Sequence, residues 1–298
     1  MDPLIICFGL GVGILVGITG MGGGALMTPI LILIFGFQPT TAIGTDLAYG
    51  AVTRTLGAWR MLRQGTVNLS LSMWMAVGSV PAAVAGVVVL ERLKAALGSS
   101  FDDTVLVAVA VALALTGAAM LVKFLLFPGS LEREREDLRL DTRHKIGAVV
   151  LGVLVGFVLG VTSAGSGSLI AVGLIMAFRM VPRKVVGTDM FHAALLLWAA
   201  SIAHLFAGNI DFALAGTILI GSLPGVWIGS ELMPRVPVTG LRAALALVLF
   251  ASALALLAKA GAPLPPAVIL GAPVALGLLL FVQDRMRTSE DGAVRAEG

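Results

Sequence analysis

The chain is 298 residues long, 58% hydrophobic and only 12% charged, with a mean hydropathy of +1.02. A soluble domain carries roughly 25% charged residues, so this composition excludes a soluble globular fold. The formal charge of +3 belongs to short loops and the tail rather than to a basic face, so nucleic acid is not an expected partner, and the single cysteine, Cys7, excludes an intrachain disulfide or a cysteine metal cluster.

Apolar runs of about 20 residues, the length of a helix across the hydrocarbon of a bilayer, follow one another along most of the chain. Leu, Ala, Val and Gly dominate and β-alternation is absent, so helices rather than a barrel are expected to satisfy the backbone in lipid. The first run lacks a positively charged leader and passes directly into further membrane sequence, which reads as a span and not as a signal peptide. In chain order the segments fall near 4–20, 24–36, 41–63, 69–90, 103–127, 146–163, 167–178, 185–206, 211–232, 238–259 and 264–282. Two of them, 24–36 and 167–178, are too short to span comfortably, and each follows a Gly-rich break.

Lys and Arg in short loops mark the cytoplasmic side. Arg133, Arg135, Arg139, Arg143 and Lys145 place the 128–145 linker inside, as Arg60 and Arg63, Arg179, Arg183 and Lys184, and Arg235 and Arg242 do for their turns; Arg285 and Arg287 do so for the C-terminus. The turns at 36–40, 207–211 and 260–264 hold no Lys or Arg and fall outside, with the N-terminus. Arg92 and Lys94, in a turn the alternation puts outside, are the exception.

Gly44-Thr45-Asp46 recurs as Gly187-Thr188-Asp189, an offset of 187 − 44 = 143. Without gaps the same offset aligns Gly17 with Gly160, Thr19 with Thr162, Gly22 and Gly24 with Gly165 and Gly167, and Gly78-Ser79-Val80-Pro81 with Gly221-Ser222-Leu223-Pro224. An odd number of crossings separates equivalent positions, so the halves are expected to lie upside down relative to each other, as in many secondary transporters with a midplane substrate site. The expected fold is therefore an all-α polytopic membrane protein. Its first repeat is 1–127, its cytoplasmic linker 128–145 and its second repeat 146–259, with an extra helix and tail at 260–298. Each repeat holds a broken or re-entrant pair and about three further helices.

The runs GVGILVGITGMGGGALMTPIL, AIGTDLAYGAVTRTLGAWRMLRQGTVN and GSVPAAVAG, echoed by GVTSAGSGSLI, VVGTDMFHA, AGNIDF and GSLPGVWIG, resemble the TauE/SafE sulfite exporter (anion permease) family over nearly residues 4–259. The resemblance implies an inner-membrane transporter for sulfite, organosulfonates or related sulfur-containing or carboxylate anions.

The candidate site starts at the two breaks. Gly20-Met21-Gly22-Gly23-Gly24 and Ser163-Ala164-Gly165-Ser166-Gly167-Ser168 each interrupt a hydrophobic segment and open a helix. A helix start presents free N–H groups and partial positive charge to an anion, and glycine permits close approach. Thr19, Gly22, Gly23, Gly24, Thr162, Ser163, Gly165, Ser166 and Gly167 are thus substrate-site candidates, with helix packing through small residues as the competing reading. Arg54, deep in its segment, either binds the anion or neutralises Asp46 or Asp189.

Asp46 and Asp189, with Thr45, Thr188 and His192, serve either ion coupling or structure, because a carboxylate in a membrane segment is costly yet suits a helix start. No nucleotide-binding or nucleophile motif is present, so no enzyme activity and no cofactor are expected. The reading is a proton- or sodium-coupled exporter of a small sulfur oxyanion, in contact with lipid. An uncoupled anion channel, or a cation or metal transporter using the acids, are the alternatives.

Overall fold

A computed structural model describes residues 2–19, 24–126, 140–232 and 238–277. These residues form helices and no strand: α1 (Pro3–Thr19), α2 (Gly24–Leu33), α3 (Pro39–Arg63), α4 (Leu69–Leu97), α5 (Phe101–Leu126), α6 (Thr142–Thr162), α7 (Ser166–Phe178), α8 (Pro182–Phe206), α9 (Phe212–Leu232), α10 (Val238–Lys259) and α11 (Pro266–Gly277). Four stretches are long and apolar enough to cross a bilayer by length and composition: Leu69–Leu121, which takes in α4 and most of α5, Thr142–Thr162, Arg183–Phe206 and Phe212–Leu232. Side chains such as Val77, Leu154, Phe206 and Trp227 point outward from the bundle, where only lipid makes their exposure favourable. The chain is an integral, all-α membrane protein. The 25-residue α3 is more polar, and Thr45, Asp46 and Arg54 are buried in the protein with apolar neighbours such as Ile43 and Leu47, whereas Leu56 and Trp59 near its end are exposed.

Close seams join the helices. A Cβ added at Gly152, Gly156 or Gly160 of α6 would run into the backbone of Met75, Ser79 and Ala83 of α4. At Gly9, Gly13 and Gly17 of α1 it would meet Ile218, Ser222 and Val226 of α9, which are the same positions displaced by 143. Such approach is how small residues bring membrane helices together without a hydrophobic driving force. At the centre α3 packs on α8 with opposite direction: Gly44 lies against Asn209, Gly57 against Met190, and Gly187 against Thr66. The outer pair α5 and α10 also pack on each other.

Contacts sort the turns to two faces. Glu91 accepts from Asn209 Nδ2 at 2.8 Å, and Lys259 Nζ donates to Ile32 O at 2.7 Å. With Gly44 against Asn209, these put the ends of α2, α4, α8 and α10 on one face. On the other, Arg63 stacks over Trp59 at 4.1 Å and Lys145 over Trp74 at 5.3 Å.

Two boundaries differ from expectation. α4 runs to Leu97 rather than ending near residue 90. The Glu91–Leu97 stretch loses apolarity but not helix propensity, and the helix stops only at Gly98, where φ is 51°. Arg92 and Lys94 therefore sit on the last turns of a helix and not in a loop. α6 begins at Thr142, capped by Asp141, whose Oδ1 accepts from the Thr142 N–H at 2.7 Å, so residues 142–145 belong to the helix and not to the linker. Arg133, Arg135, Arg139, Arg235, Arg285 and Arg287 lie outside the described residues.

Candidate functional site

The second break is built by two residues in left-handed conformation. Ser163 ends α6 at φ 56°, its N–H donating to Leu159 O, and Gly165 at φ 101° turns the chain into α7. A non-glycine at φ 56° is strained, and the Ser163 side chain has a compensating use described below. A crevice of about 450 Å³, counting its open mouth, lies at the start of α7. It takes Val16 and Thr19 from the end of α1, Ala25 and Leu26 from the start of α2, and Gly165, Gly167 and Ser168 from α7. Thr116 and Met120 of α5 and Leu245 and Leu249 of α10 complete it. Both interrupted regions of the sequence thus meet in one place.

None of these lining residues is charged. Their hydroxyls differ in what they can still donate. Thr19 Oγ1 gives its proton to Leu15 O at 2.6 Å, and Thr116 Oγ1 to Ala112 O at 2.7 Å, each one turn back on its own helix. Ser168 Oγ is buried, with 8% of the residue exposed, and has no hydrogen-bond partner. It stands in the first turn of α7, beside backbone N–H groups that no side chain caps at Gly165. Thr162, also a candidate, is not among the lining residues: it donates to Val158 O at 2.7 Å and accepts from the Ala164 N–H at 3.3 Å, bracing the break from behind.

Asp46 reaches the break from α3. Its Oδ2 lies 2.6 Å from Thr28 Oγ1 of α2 and 2.6 Å from Ser163 Oγ, and those two hydroxyls are 2.6 Å from each other. The strained Ser163 thereby joins the second half to the first. Asp189, its counterpart on α8, faces Arg54 instead, with Nη1 3.7 Å from Oδ2. Arg54 is not among the residues that line the crevice. His192 Nε2 is 2.8 Å from Ser79 Oγ of α4. Thr45 and Thr188 act as clips between the halves: Thr45 Oγ1 accepts from the Asp211 N–H, and Thr188 Oγ1 from the Asn68 N–H, both at 3.0 Å. Among the described residues no three His, Cys, Asp or Glu side chains converge in a way that could hold a metal ion. Gly22 and Gly23 lie outside the described residues, and the structure describes Gly24 and Ser166 as the first residues of α2 and α7 without their surroundings.

Sequence reasoning did not single out Thr28, Thr116 or Ser79. Thr28 sits in an apolar helix where the 143-residue offset has Ala171, and nothing local distinguishes it. Only the approach of α2, α3 and the second break brings it to Asp46.

Comparison with known proteins gives one consistent answer. Residues 5–256 match the family described as sulfite exporter TauE/SafE. The chain is 38% identical over 257 residues to the probable membrane transporter protein YjnA of Bacillus subtilis, covering 86% of this chain and 100% of that one. It is 28% identical to the probable membrane transporter protein YdhB of the same organism, over 78% of this chain and 92% of that one. A probable membrane transporter protein of Xylella fastidiosa is 27% identical over 79% of this chain and 87% of its own length. No solved structure matches.

Proposed function

This chain belongs to the TauE/SafE sulfite exporter family, and from that premise we propose that it is a secondary transporter exporting a small sulfur-containing oxyanion, sulfite or an organosulfonate, across the bacterial inner membrane. The reading rests chiefly on Ser168, a buried hydroxyl without a partner, which lines the crevice at the start of α7. A helix start in a low-dielectric site attracts negative charge through its free N–H groups and dipole. The hydroxyl adds a donor whose proton is not already committed. Leu26, Met120, Leu245 and Leu249 give the crevice an apolar wall, which suits the short hydrocarbon part of a sulfonate. With no lysine or arginine among the described residues that line it, the anion is held by dipoles and hydrogen bonds. It can then leave again, as turnover requires.

The two halves rock about the α3–α8 contact and expose the crevice to one side and then the other. The C-terminus is cytoplasmic and the N-terminus periplasmic, the orientation that keeps the basic turns inside.

Reconstitution tests this. Proteoliposomes are expected to accumulate or release labelled sulfite or a small sulfonate in a saturable manner. Ser168→Ala is expected to weaken half-saturation by about 10- to 100-fold, the equivalent of one hydrogen bond to a charged ligand. Flux that does not saturate would instead indicate a pore. Saturable flux unaffected by Ser168→Ala would move the site away from α7.

A further inference from the structure

The Asp46 cluster holds more short contacts than its hydroxyls can supply with protons. Asp46 Oδ2, Thr28 Oγ1 and Ser163 Oγ form a closed triangle with all three sides 2.6 Å, a distance characteristic of O–H···O hydrogen bonds. Each side requires one proton. Thr28 and Ser163 bring one each. An ionised Asp46 would leave one side as two lone pairs in contact. Its other oxygen, Oδ1, is buried and makes no hydrogen bond within 3.5 Å, with the Tyr49 hydroxyl the group that faces the acid from one turn along α3; a neutral acid's carbonyl tolerates that position better than half of a carboxylate does.

We propose that Asp46, Thr28 and Ser163 form a proton-binding site shared by the two halves. The third proton resides on Asp46 Oδ2 and is donated to Ser163 Oγ; Ser163 donates to Thr28 Oγ1, and Thr28 donates back to Asp46 Oδ2. The ring then holds three oxygens and three protons, and no other species is needed. A metal ion does not fit the same triangle, because oxygens bound to an ion at about 2.4 Å stand roughly 3.4 Å apart in octahedral geometry.

The charged and titratable groups facing the acid are Tyr49 and Arg54 from α3 and, beyond Arg54, Asp189 and His192 from α8. The helices α2 and α7 contain no titratable residue; nearby, His204 of α8 lies 2.9 Å from Gly160 O, three residues before Ser163, and Lys259 of α10 donates to Ile32 O, four residues after Thr28. Thr28 and Asp46 belong to the first half and Ser163 to the break in the second. Separating the halves opens the ring and frees the proton to the side then exposed. That this proton is the coupling ion rests on the transport reading above; the existence of the site does not.

Infrared difference spectroscopy of the purified protein on raising the pH tests the site without any substrate. The carbonyl stretch of an un-ionised carboxylic acid is expected near neutral pH. It should be missing in Asp46→Asn, retained in Asp189→Asn, and displaced in frequency in Ser163→Ala and Thr28→Val, which remove ring partners. Should Asp46→Asn fold poorly, the displacement in the milder Ser163→Ala still identifies the acid. No band that depends on Asp46, Ser163 or Thr28, or a band that responds to sodium rather than pH, would overturn the proposal. In proteoliposomes an imposed proton gradient is expected to drive the anion uphill in the wild type and to have no effect in Asp46→Asn. Anion flux indifferent to the gradient in the wild type would overturn the coupling role while leaving transport standing.

Discussion

Arg54 of α3 lies 3.7 Å from Asp189 of α8, and the two side chains are 4% and 7% exposed. The 143-residue offset pairs Asp189 with Asp46 but Arg54 with Leu197. Two acids in equivalent positions are therefore set differently: Asp189 lies against the Arg54 guanidinium, and Asp46 lies 2.6 Å from the Thr28 and Ser163 hydroxyls. The halves have kept their packing and diverged in their electrostatics.

That pairing has a stability consequence. Arg54→Met removes the cation and leaves a buried carboxylate, a change that typically costs about 3–5 kcal/mol when a buried pair loses one member. Adding Asp189→Leu should recover most of the loss, because it removes the stranded charge as well. Thermal unfolding in detergent of the two single variants and the double variant measures the coupling. Additive losses would show that the two side chains do not interact energetically.

The glycine seams give a paired prediction. Gly13→Ala and Gly156→Ala each push a methyl into the backbone of a serine on the facing helix, Ser222 or Ser79. Each is expected to cost about 1–3 kcal/mol, and the two costs should be similar because the contacts are related by the offset. Gly11→Ala, with nothing within 4 Å of the added carbon, should be neutral or raise stability by up to about 1 kcal/mol. Unfolding midpoints of the three variants check this.

The helix-start clips are also measurable. Asn68 Oδ1 accepts from the Leu71 N–H at 3.0 Å, and Asp211 Oδ1 from the Leu214 N–H at 2.9 Å, again 143 residues apart. Asn68→Ala and Asp211→Ala are each expected to cost about 1 kcal/mol through the lost cap. Thr45→Val and Thr188→Val, which remove the clip to the neighbouring start, should cost a similar amount. Denaturant or thermal unfolding reads all four.

Orientation is tested separately. A reporter fused after Gly298 is expected to be active only if it needs the cytoplasm, and one fused before Met1 only if it functions outside. Both Trp-cation pairs, Arg63 with Trp59 and Lys145 with Trp74, lie on the face assigned to the cytoplasm. The opposite reporter pattern would invert the assignment.

Much of the fold could be read from the residues because lipid imposes simple rules. Apolar length located the helices, and the 143-residue offset relates the glycine contacts of α1 with α9 to those of α6 with α4. Hydropathy failed at Glu91–Leu97 and at Thr142–Lys145, where the helix continues after the apolar sequence ends. The site was legible only in part. The Ser163–Ser168 run indicated the turn between α6 and α7, and Gly165, Gly167 and Thr19 line one crevice. Thr28, Thr116 and the role of Ser163 were not legible, since they depend on tertiary approach between helices far apart in sequence. The donor state of a hydroxyl was equally hidden: Thr19 and Ser168 look alike in sequence, yet only Ser168 has no hydrogen-bond partner.

In the proposed function a small sulfur oxyanion binds at the start of α7. Thermal stability of the purified protein, titrated with sulfite and small sulfonates against sulfate, carboxylates and simple salts, tests it most directly, because a ligand that binds only the folded state raises apparent stability by mass action. A saturable rise with a sulfur oxyanion, displaced to about 10- to 100-fold higher concentration in Ser168→Ala, is the predicted result. No rise with any anion, or an equal rise in wild type and Ser168→Ala, would contradict it.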